Sequence, residues 1–388
     1  MAFKKYAIYV SILSLVACQP FKAHEKKNIA SQQVVFPATP TIKIDANCMN
    51  DEAYNACLFL KNPVYQKNGI SANADDTPTS LLSLQTVALK LSVRNNGPSL
   101  ENEIVSVHTN IGTRAQSATN LWKFDASATD ESDKFGQVMT YFWLTYAALK
   151  TQNQVGLFWA INKDIQVIIN DEFSGWSGDD NTIHLQKVEN DKHLTHQADL
   201  IIYYLGLANA HHATSGQMTS PKTDEKHRDC GKTVTKNKHC CVTAAGCSMA
   251  LTTGAADYFV ATIFPDAPTV GDGWTGRTQG LQACGISRDL NQNKDLTAQA
   301  AFSACSSDSG EGFIYPMGTV YASIWWEVRK KAVPEEIDRL YQNHLKRLNS
   351  TDDFSSALQK ILSTDDELFA GKHKALFNEE FQRRGVGI

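Results

Sequence analysis

The segment that decides the fold is residues 198–211, Ala-Asp-Leu-Ile-Ile-Tyr-Tyr-Leu-Gly-Leu-Ala-Asn-Ala-His. It is apolar and carries no proline, which predicts a buried helix. Residues 248–264 have the same character and predict a second buried helix. Nearer the C-terminus, helical spacing and a proline suited to a first helical turn, Pro334, predict four more helices at residues 319–332, 334–348, 354–362 and 372–384.

Upstream of these helices the sequence carries both helix and strand signals. Large apolar residues recur at helical spacing from Phe135 to Leu149 and predict a helix of about five turns. Residues 165–169 and 182–185 predict two strands, and the polar loop between them predicts a hairpin. Residues 86–93 and 103–108 predict two further strands. We therefore expect an α+β fold, with a small β-rich N-terminal unit at residues 46–128 and a mainly helical body at residues 129–388.

Three ordered motifs occur in the body. Residues 199–202, Asp-Leu-Ile-Ile, lead into a helix that carries Gly206, residues 254–259 read Gly-Ala-Ala-Asp-Tyr-Phe, and a third motif runs from Gly318 to Arg329. Together they resemble the gluzincins, the thermolysin-like and fungalysin-like zinc peptidases, and the resemblance covers roughly residues 130–388. It implies a zincin-like body with a small edge sheet and a helical C-terminal lobe. Shorter similar segments are residues 288–290, 368–371 and 381–385.

The resemblance also shows which positions carry the chemistry of that family, and all five of them are changed here. The family's H-E-x-x-H, its third ligand Glu and its transition-state His correspond to Tyr203, Tyr204, Leu207, Thr253 and Tyr315. Zinc takes nitrogen, sulfur or carboxylate oxygen ligands, so we expect no metal, no cofactor and no catalytic residue of that kind. Asp257, which in the family orients a ligand His, is retained together with the scaffold glycines.

Nearby histidines and the three tyrosines leave alternatives open. His211 and His212 follow the changed motif, and His193 and His196 precede it, so a displaced metal site is one interpretation and exposed histidines at helix ends are the other. The tyrosines are interpreted either as a new catalytic set, or as residues that fill the vacated volume or line a peptide-binding cleft.

Two weaker signals lie on loops and helix ends. Asp179 and Asp180 are either calcium ligands or residues of an ordinary turn. Ser215 and Ser248 are candidates for the nucleophile of a serine hydrolase. Neither lies in a G-x-S-x-G pattern with ordered His and Asp partners. We therefore expect no serine nucleophile.

The N-terminus predicts export and lipid anchoring. Lys4 and Lys5 precede an apolar stretch at residues 6–16 that is too short to span a bilayer, and Leu-Val-Ala-Cys18 resembles the bacterial lipobox. We expect a signal peptide at residues 1–18, acylation of Cys18 and a flexible tether at residues 19–45, with an ordinary cleaved signal as the alternative. Gln19 implies, by resemblance to Gram-negative lipoproteins, transfer to the outer membrane, with the protein facing the periplasm or the surface.

Eight cysteines remain once the lipidated one is set aside, and an even number in an oxidising compartment predicts disulfides. Proximity favours pairing Cys48 with Cys57 and Cys284 with Cys305, although the connectivity stays open. The spacing within the cluster Cys230, Cys240, Cys241 and Cys247 does not match paired C-x-x-C zinc knuckles, which favours disulfides there too.

Composition bounds the function that this chain can have. The chain has 388 residues, 42% of them hydrophobic, and a net charge of −4, which gives no sign of nucleic-acid binding. Three hypotheses follow: a non-catalytic metallopeptidase-like surface lipoprotein that binds a peptide or protein partner, an active metal-dependent hydrolase with a displaced site, and a structural or adhesive envelope lipoprotein. The expected membrane contact is the N-terminal lipid.

Overall fold

The computed structural model describes residues 39, 42–44, 48, 55–61, 87–89, 98–126, 131–188, 192–218, 244–271, 288–292 and 314–385. All of them belong to one unit that spans Phe36–Ile388. The predicted signal peptide with Cys18 lies outside the described residues. So do Cys230, Cys240, Cys241, Cys284 and Cys305.

The first long helix, α1, spans Lys134–Val155. Asp133 caps its start, because the Asp133 carboxylate accepts a hydrogen bond from the Gly136 amide at 3.0 Å. Gly156 ends it in the left-handed conformation, with φ 75°, where a residue without a Cβ carries no steric cost. The described part of the chain therefore confirms the predicted helix and lengthens it at its C-terminal end.

Two more buried helices follow, as predicted. The second, α2, spans Ala198–Ala213, and its first amide donates to the Lys61 carbonyl at 2.7 Å in place of a side-chain cap. The third, α3, spans Ala244–Ile263. Neighbouring elements bury most of the described side chains of both helices, which is why both are apolar on more than one side.

The C-terminal part of the described chain is helical. Helix α4 spans Ile314–Lys331, α5 spans Pro334–Leu345, α6 spans Phe354–Phe369 and α7 spans Lys374–Arg383. Pro334 stands in the first turn of α5, and Asp353 with Ser356 forms a capping box at the start of α6. The four helices predicted from the sequence are confirmed, with shifted ends.

A five-stranded sheet lies beside the first three helices. Its strands are β4 (Val105–Thr109), β5 (Ile165–Asp171), β6 (Gly175–Ser177), β7 (Thr182–Val188) and β8 (Lys192–His193), in the order β4-β5-β7-β6 with β8 also paired to β7. Strands β5 and β7 are parallel, and β6 pairs with β7 in the antiparallel sense. The predicted hairpin of residues 165–169 with 182–185 is therefore wrong, because the hairpin partner of β7 is the short strand β6.

Smaller pairings complete the described strands. Strands β1 (Ile42–Ile44) and β2 (Ala56–Leu58) flank β3 (Val87–Leu89), and β9 (Thr269–Val270) pairs with β10 (Arg288–Asp289). A disulfide joins Cys48 to Cys57 beside β2, which confirms that predicted pair. Cys247 is also disulfide-bonded.

The apolar side chains of the described residues form two large clusters. One lies between the five-stranded sheet and helices α1 and α2, and it includes residues of β2 and β4 from the predicted N-terminal unit. The other lies among helices α4 to α7. Helix α3 contributes to both clusters, with Phe259 in the first and Tyr258 in the second. The predicted domain boundary between residues 128 and 129 stays a prediction.

None of the helices in the described ranges is both long enough and apolar enough to cross a membrane.

Candidate functional site

Small residues bring helices α2, α3 and α4 into backbone contact. A Cβ placed on Gly206 would lie 2.9 Å from the Cα of Ala256, and one on Gly254 would lie 2.9 Å from the carbonyl carbon of Gly318. Real Cβ atoms do not approach other atoms so closely, so glycine is required at both crossings. These glycines belong to the motifs that resemble the gluzincins, and they hold the three helices that carry the candidate site.

A buried ion pair lies between α3 and β10. The guanidinium of Arg288 donates from Nε to Asp257 Oδ2 at 3.3 Å and from Nη2 to Asp257 Oδ1. The Thr319 hydroxyl on α4 donates to the same carboxylate at 3.3 Å. Burial raises the pKa of Asp257, and the positive charge of Arg288 opposes that rise. Burial would lower the pKa of Arg288, but Asp257 raises it above its ordinary value.

Two tyrosine rings flank this guanidinium. The central carbon of Arg288 lies over the Tyr203 ring, 4.2 Å from its centre, and 5.4 Å from the centre of the Tyr315 ring. The Tyr204 ring meets the Tyr203 ring edge-on at 5.5 Å. Two of the five changed positions therefore contact one arginine, and a third, Tyr204, packs against Tyr203. A guanidinium beside an aromatic face is attracted by the ring quadrupole, so these contacts hold Arg288 in place.

The side chains at the changed positions do not fit a zinc ion. Burial raises the pKa of Tyr203 well above its ordinary value and that of Tyr204 to about 12, so both phenols keep their protons. Leu207 lies one helical turn beyond Tyr203 and offers no donor atom, and the Thr253 hydroxyl donates to the Ala250 carbonyl at 3.1 Å. The fixed positive charge of Arg288 also disfavours a divalent cation nearby. These donors cannot replace the imidazoles and carboxylates that zinc requires.

The histidines considered for a displaced metal site are held by other contacts. His211 packs on Gly178, where a Cβ would lie 2.7 Å from its Nδ1 atom, and His212 Nε2 lies 2.8 Å from the Asn181 Oδ1. Burial lowers the pKa of both rings, for His212 to about 4. Nowhere in the described ranges do three His, Cys, Asp or Glu side chains come together in a way that suits a metal ion.

The histidines before the changed motif include a buried one. His196 lies in a 3-10 turn at Leu194–His196, is 1% exposed, and its Nε2 lies 3.0 Å from Asp133 Oδ1. The interpretation of His196 as an exposed helix-end residue is therefore wrong, because it packs under the start of α1. His193 ends β8, and its side chain lies outside the part of the chain that the structure describes.

The loop and serine candidates show no convergent chemistry. Asp179 and Asp180 are exposed in the turn between β6 and β7, where a hydrogen bond from Ser177 lowers the pKa of Asp180. Ser215 is exposed at the end of α2 in a left-handed conformation. Ser248 is fully buried and donates to the Met218 carbonyl at 3.3 Å. Neither serine hydroxyl has a histidine side chain as a hydrogen-bond partner among the described contacts.

Sequence reasoning missed Arg288 as a functional residue. It appeared only within a short segment, residues 288–290, that resembles the bacterial gluzincins. The signal that could have found it is the charge of Asp257, which lies in an apolar helix and needs a cation as a partner. In the folded chain that partner is Arg288.

Comparison with solved structures agrees with this architecture. The precursor of protealysin, a metalloproteinase from Serratia proteamaculans, matches with a TM-score of 0.50 and 9% sequence identity, over 84% of this chain and 98% of that chain. No protein-family model matches the sequence, and no curated protein matches it.

At this identity the likeness concerns the fold. The chain has a mixed α+β, zincin-like fold with a helical C-terminal part, as the sequence motifs predicted. The residues that decide activity must therefore be judged by their own chemistry in this chain.

Proposed function

We propose that this chain is a lipid-anchored protein of the bacterial outer membrane whose zincin-like body binds a peptide without hydrolysing it. The observation that carries the proposal is the group Tyr203, Tyr204, Tyr315, Arg288 and Asp257. The resemblance assigns Tyr203, Tyr204 and Tyr315 to ligand and catalytic positions of the zinc peptidases, yet the group contains no imidazole and only one carboxylate, which Arg288 already binds. Such a group can bind and orient a ligand, but it cannot polarise a carbonyl or activate a water as a metal site does.

The neighbouring strand supports peptide as the class of ligand. Strand β6 ends the strand order of the five-stranded sheet, so within the described residues no strand pairs with its outer edge. Burial raises the pKa of Tyr204, and the Ser174 hydroxyl, just before β6, slightly opposes that rise, so this end of β6 lies near Tyr204. An extended peptide can add to a free sheet edge through its backbone while nearby pockets take its side chains.

Metal content and hydrolysis test the absence of catalysis. The full chain, purified in detergent from membranes, is expected to contain far less than one zinc per molecule and to leave a pool of fluorogenic peptides intact, with or without a chelator. Stoichiometric zinc together with chelator-sensitive hydrolysis would show that the proposal is wrong.

Peptide binding needs its own test. The same preparation is expected to raise the fluorescence anisotropy of a labelled pool of random hexapeptides, and unlabelled pool should reverse the change. A protein that binds no member of the pool would argue for a structural role of the zincin-like body.

The anchoring part of the proposal depends on Cys18. We expect radiolabelled palmitate to be incorporated into the full chain and to be lost with Cys18→Ala, and we expect the labelled protein to fractionate with the outer membrane. Label that persists in Cys18→Ala would contradict acylation at this thiol.

A further inference from the structure

Two hydrogen-bond donors of the candidate site have no hydrogen-bond partner among the residues that the structure describes. Tyr203 is 4% exposed, and its hydroxyl makes no hydrogen bond to any residue that the structure describes. Arg288 is 7% exposed and uses Nε and Nη2 on Asp257, which leaves Nη1 without a hydrogen-bond partner in the described part of the chain. Neither residue is completely enclosed. Donors that are this deeply buried are normally paired, so the two together indicate a ligand.

The two donors belong to one small site. The central carbon of the Arg288 guanidinium lies over the Tyr203 ring, 4.2 Å from its centre, so the two groups that carry these donors are in contact. A single peptide carbonyl oxygen would have to meet both donors at one point. The two oxygens of a carboxylate are better suited, because each can accept from one donor and the bond to the guanidinium is charge-assisted.

The charges around the site favour an anion. Asp257 is the carboxylate that acts on Tyr203 within the described part of the chain, and the Arg288 guanidinium holds it through two hydrogen bonds. The two positions where the resembling family has glutamates hold the uncharged side chains of Tyr204 and Thr253. The phenols stay protonated because burial raises their pKa values, so they present O–H donors to a ligand.

We infer that the cleft recognises a carboxylate group of a peptide, bound jointly by the Tyr203 hydroxyl and the Nη1 group of Arg288. This inference rests on the proposed peptide-binding function and names the ligand group that the site selects. The carboxylate can come from the C-terminus of the peptide or from an Asp or Glu side chain.

Three pools of labelled, N-acetylated hexapeptides separate these sources. The first has free C-termini and contains no Asp or Glu, the second has amidated C-termini and contains Asp and Glu, and the third is amidated and contains no Asp or Glu. Fluorescence anisotropy with the full chain in detergent is expected to show binding of the first or the second pool at least about tenfold tighter than binding of the third, because a charged acceptor strengthens the hydrogen bonds.

Tyr203→Phe removes one donor and nothing else, because its hydroxyl binds no described residue. It is expected to weaken binding of the carboxylate pool about tenfold and to affect binding of the third pool much less. Tyr146→Phe is the matched control, since Tyr146 also lies partly buried in a helix, away from the site, and binding should stay the same. Equal melting temperatures of the variants and the original chain establish that the fold is kept.

Each outcome decides one of the two proposals. Equal binding of all three pools, with no effect of Tyr203→Phe, overturns the carboxylate inference and leaves peptide binding standing. Binding of no pool overturns both. Preference for the first pool identifies a terminal carboxylate, and preference for the second identifies an acidic side chain.

Discussion

Asp257 on α3 binds Arg288 on β10 through both oxygens of its carboxylate, across 31 residues of sequence. The pair is buried, so each charge depends on the other for the hydrogen bonds that water would otherwise supply. It also fixes the guanidinium against Tyr203, and the geometry of the proposed ligand site therefore depends on it.

Asp257→Asn is expected to lower the free energy of unfolding by about 3–5 kcal/mol, because it leaves the guanidinium buried without a counter-charge. Urea denaturation followed by circular dichroism measures the change. The control is Glu327→Gln, which breaks the more exposed pair with Lys330 and should cost less than about 1 kcal/mol. Similar decreases in the free energy of unfolding in both variants would mean that the buried pair contributes no more to stability than the exposed one.

Gly254→Ala tests the crossing of α3 and α4. The added methyl group would lie 2.9 Å from the Gly318 carbonyl carbon, so the helices must separate, and we expect a loss of roughly 1–3 kcal/mol in the free energy of unfolding. Gly175→Ala is the control, because a Cβ there meets its nearest atom at 3.9 Å. If urea midpoints of the two variants coincide, the close crossing is not required.

His344 gives the protein a sensitivity to acid. Burial lowers its pKa to about 3 from the model-peptide value of 6.5, so the folded chain keeps the ring neutral while the unfolded chain protonates it. The stabilisation is complete above pH 6.5 and is lost as the pH falls towards 3, by up to about 1.4 kcal/mol per pH unit. We expect His344→Gln to flatten this part of the stability curve, measured by urea denaturation between pH 7 and 4.

The control for this prediction keeps the histidine and removes its partner. Tyr321 lies 2.8 Å from His344 through its hydroxyl, and Tyr321→Phe should lower stability by a similar amount at every pH while preserving the slope. A slope that is unchanged in His344→Gln would assign the acid sensitivity to other groups.

A fourth prediction concerns the correspondence of positions with the zinc peptidases. Tyr203→His, Leu207→His and Thr253→Glu together supply the three ligand types of that family, on helices that Gly206 and Ala256 hold in contact. We expect the triple variant to bind about one zinc per chain and to melt at a higher temperature when zinc is added. The double variant without Thr253→Glu should bind zinc more weakly. A folded triple variant without zinc would show that the three positions do not converge.

The helices and the disulfide near the N-terminus could be predicted because their signals are local. The apolar character of residues 198–211 predicted the helix α2, and Cys57 follows Cys48 by nine positions. The strand pairing could not be predicted in the same way. Two short apolar runs look alike whether they pair in the parallel or the antiparallel sense, and the strand that decides the matter, β6, is only three residues long.

Only part of the candidate site could be predicted from the sequence. The motifs placed the changed tyrosines and the retained Asp257, because these lie at fixed offsets from glycines. Arg288 follows Asp257 by 31 residues on another element, and no spacing rule connects the two. Its role follows from the requirement that a buried carboxylate be paired. The sequence indicates that Asp257 needs a cation, but it does not identify the residue that supplies one.

Helix α3 belongs to both apolar clusters, with Phe259 facing the sheet side and Tyr258 the helical side. If either apolar cluster loses its packing, one side of α3 becomes exposed to water. The body should therefore denature cooperatively, giving one calorimetric peak in which the calorimetric and van't Hoff enthalpies agree.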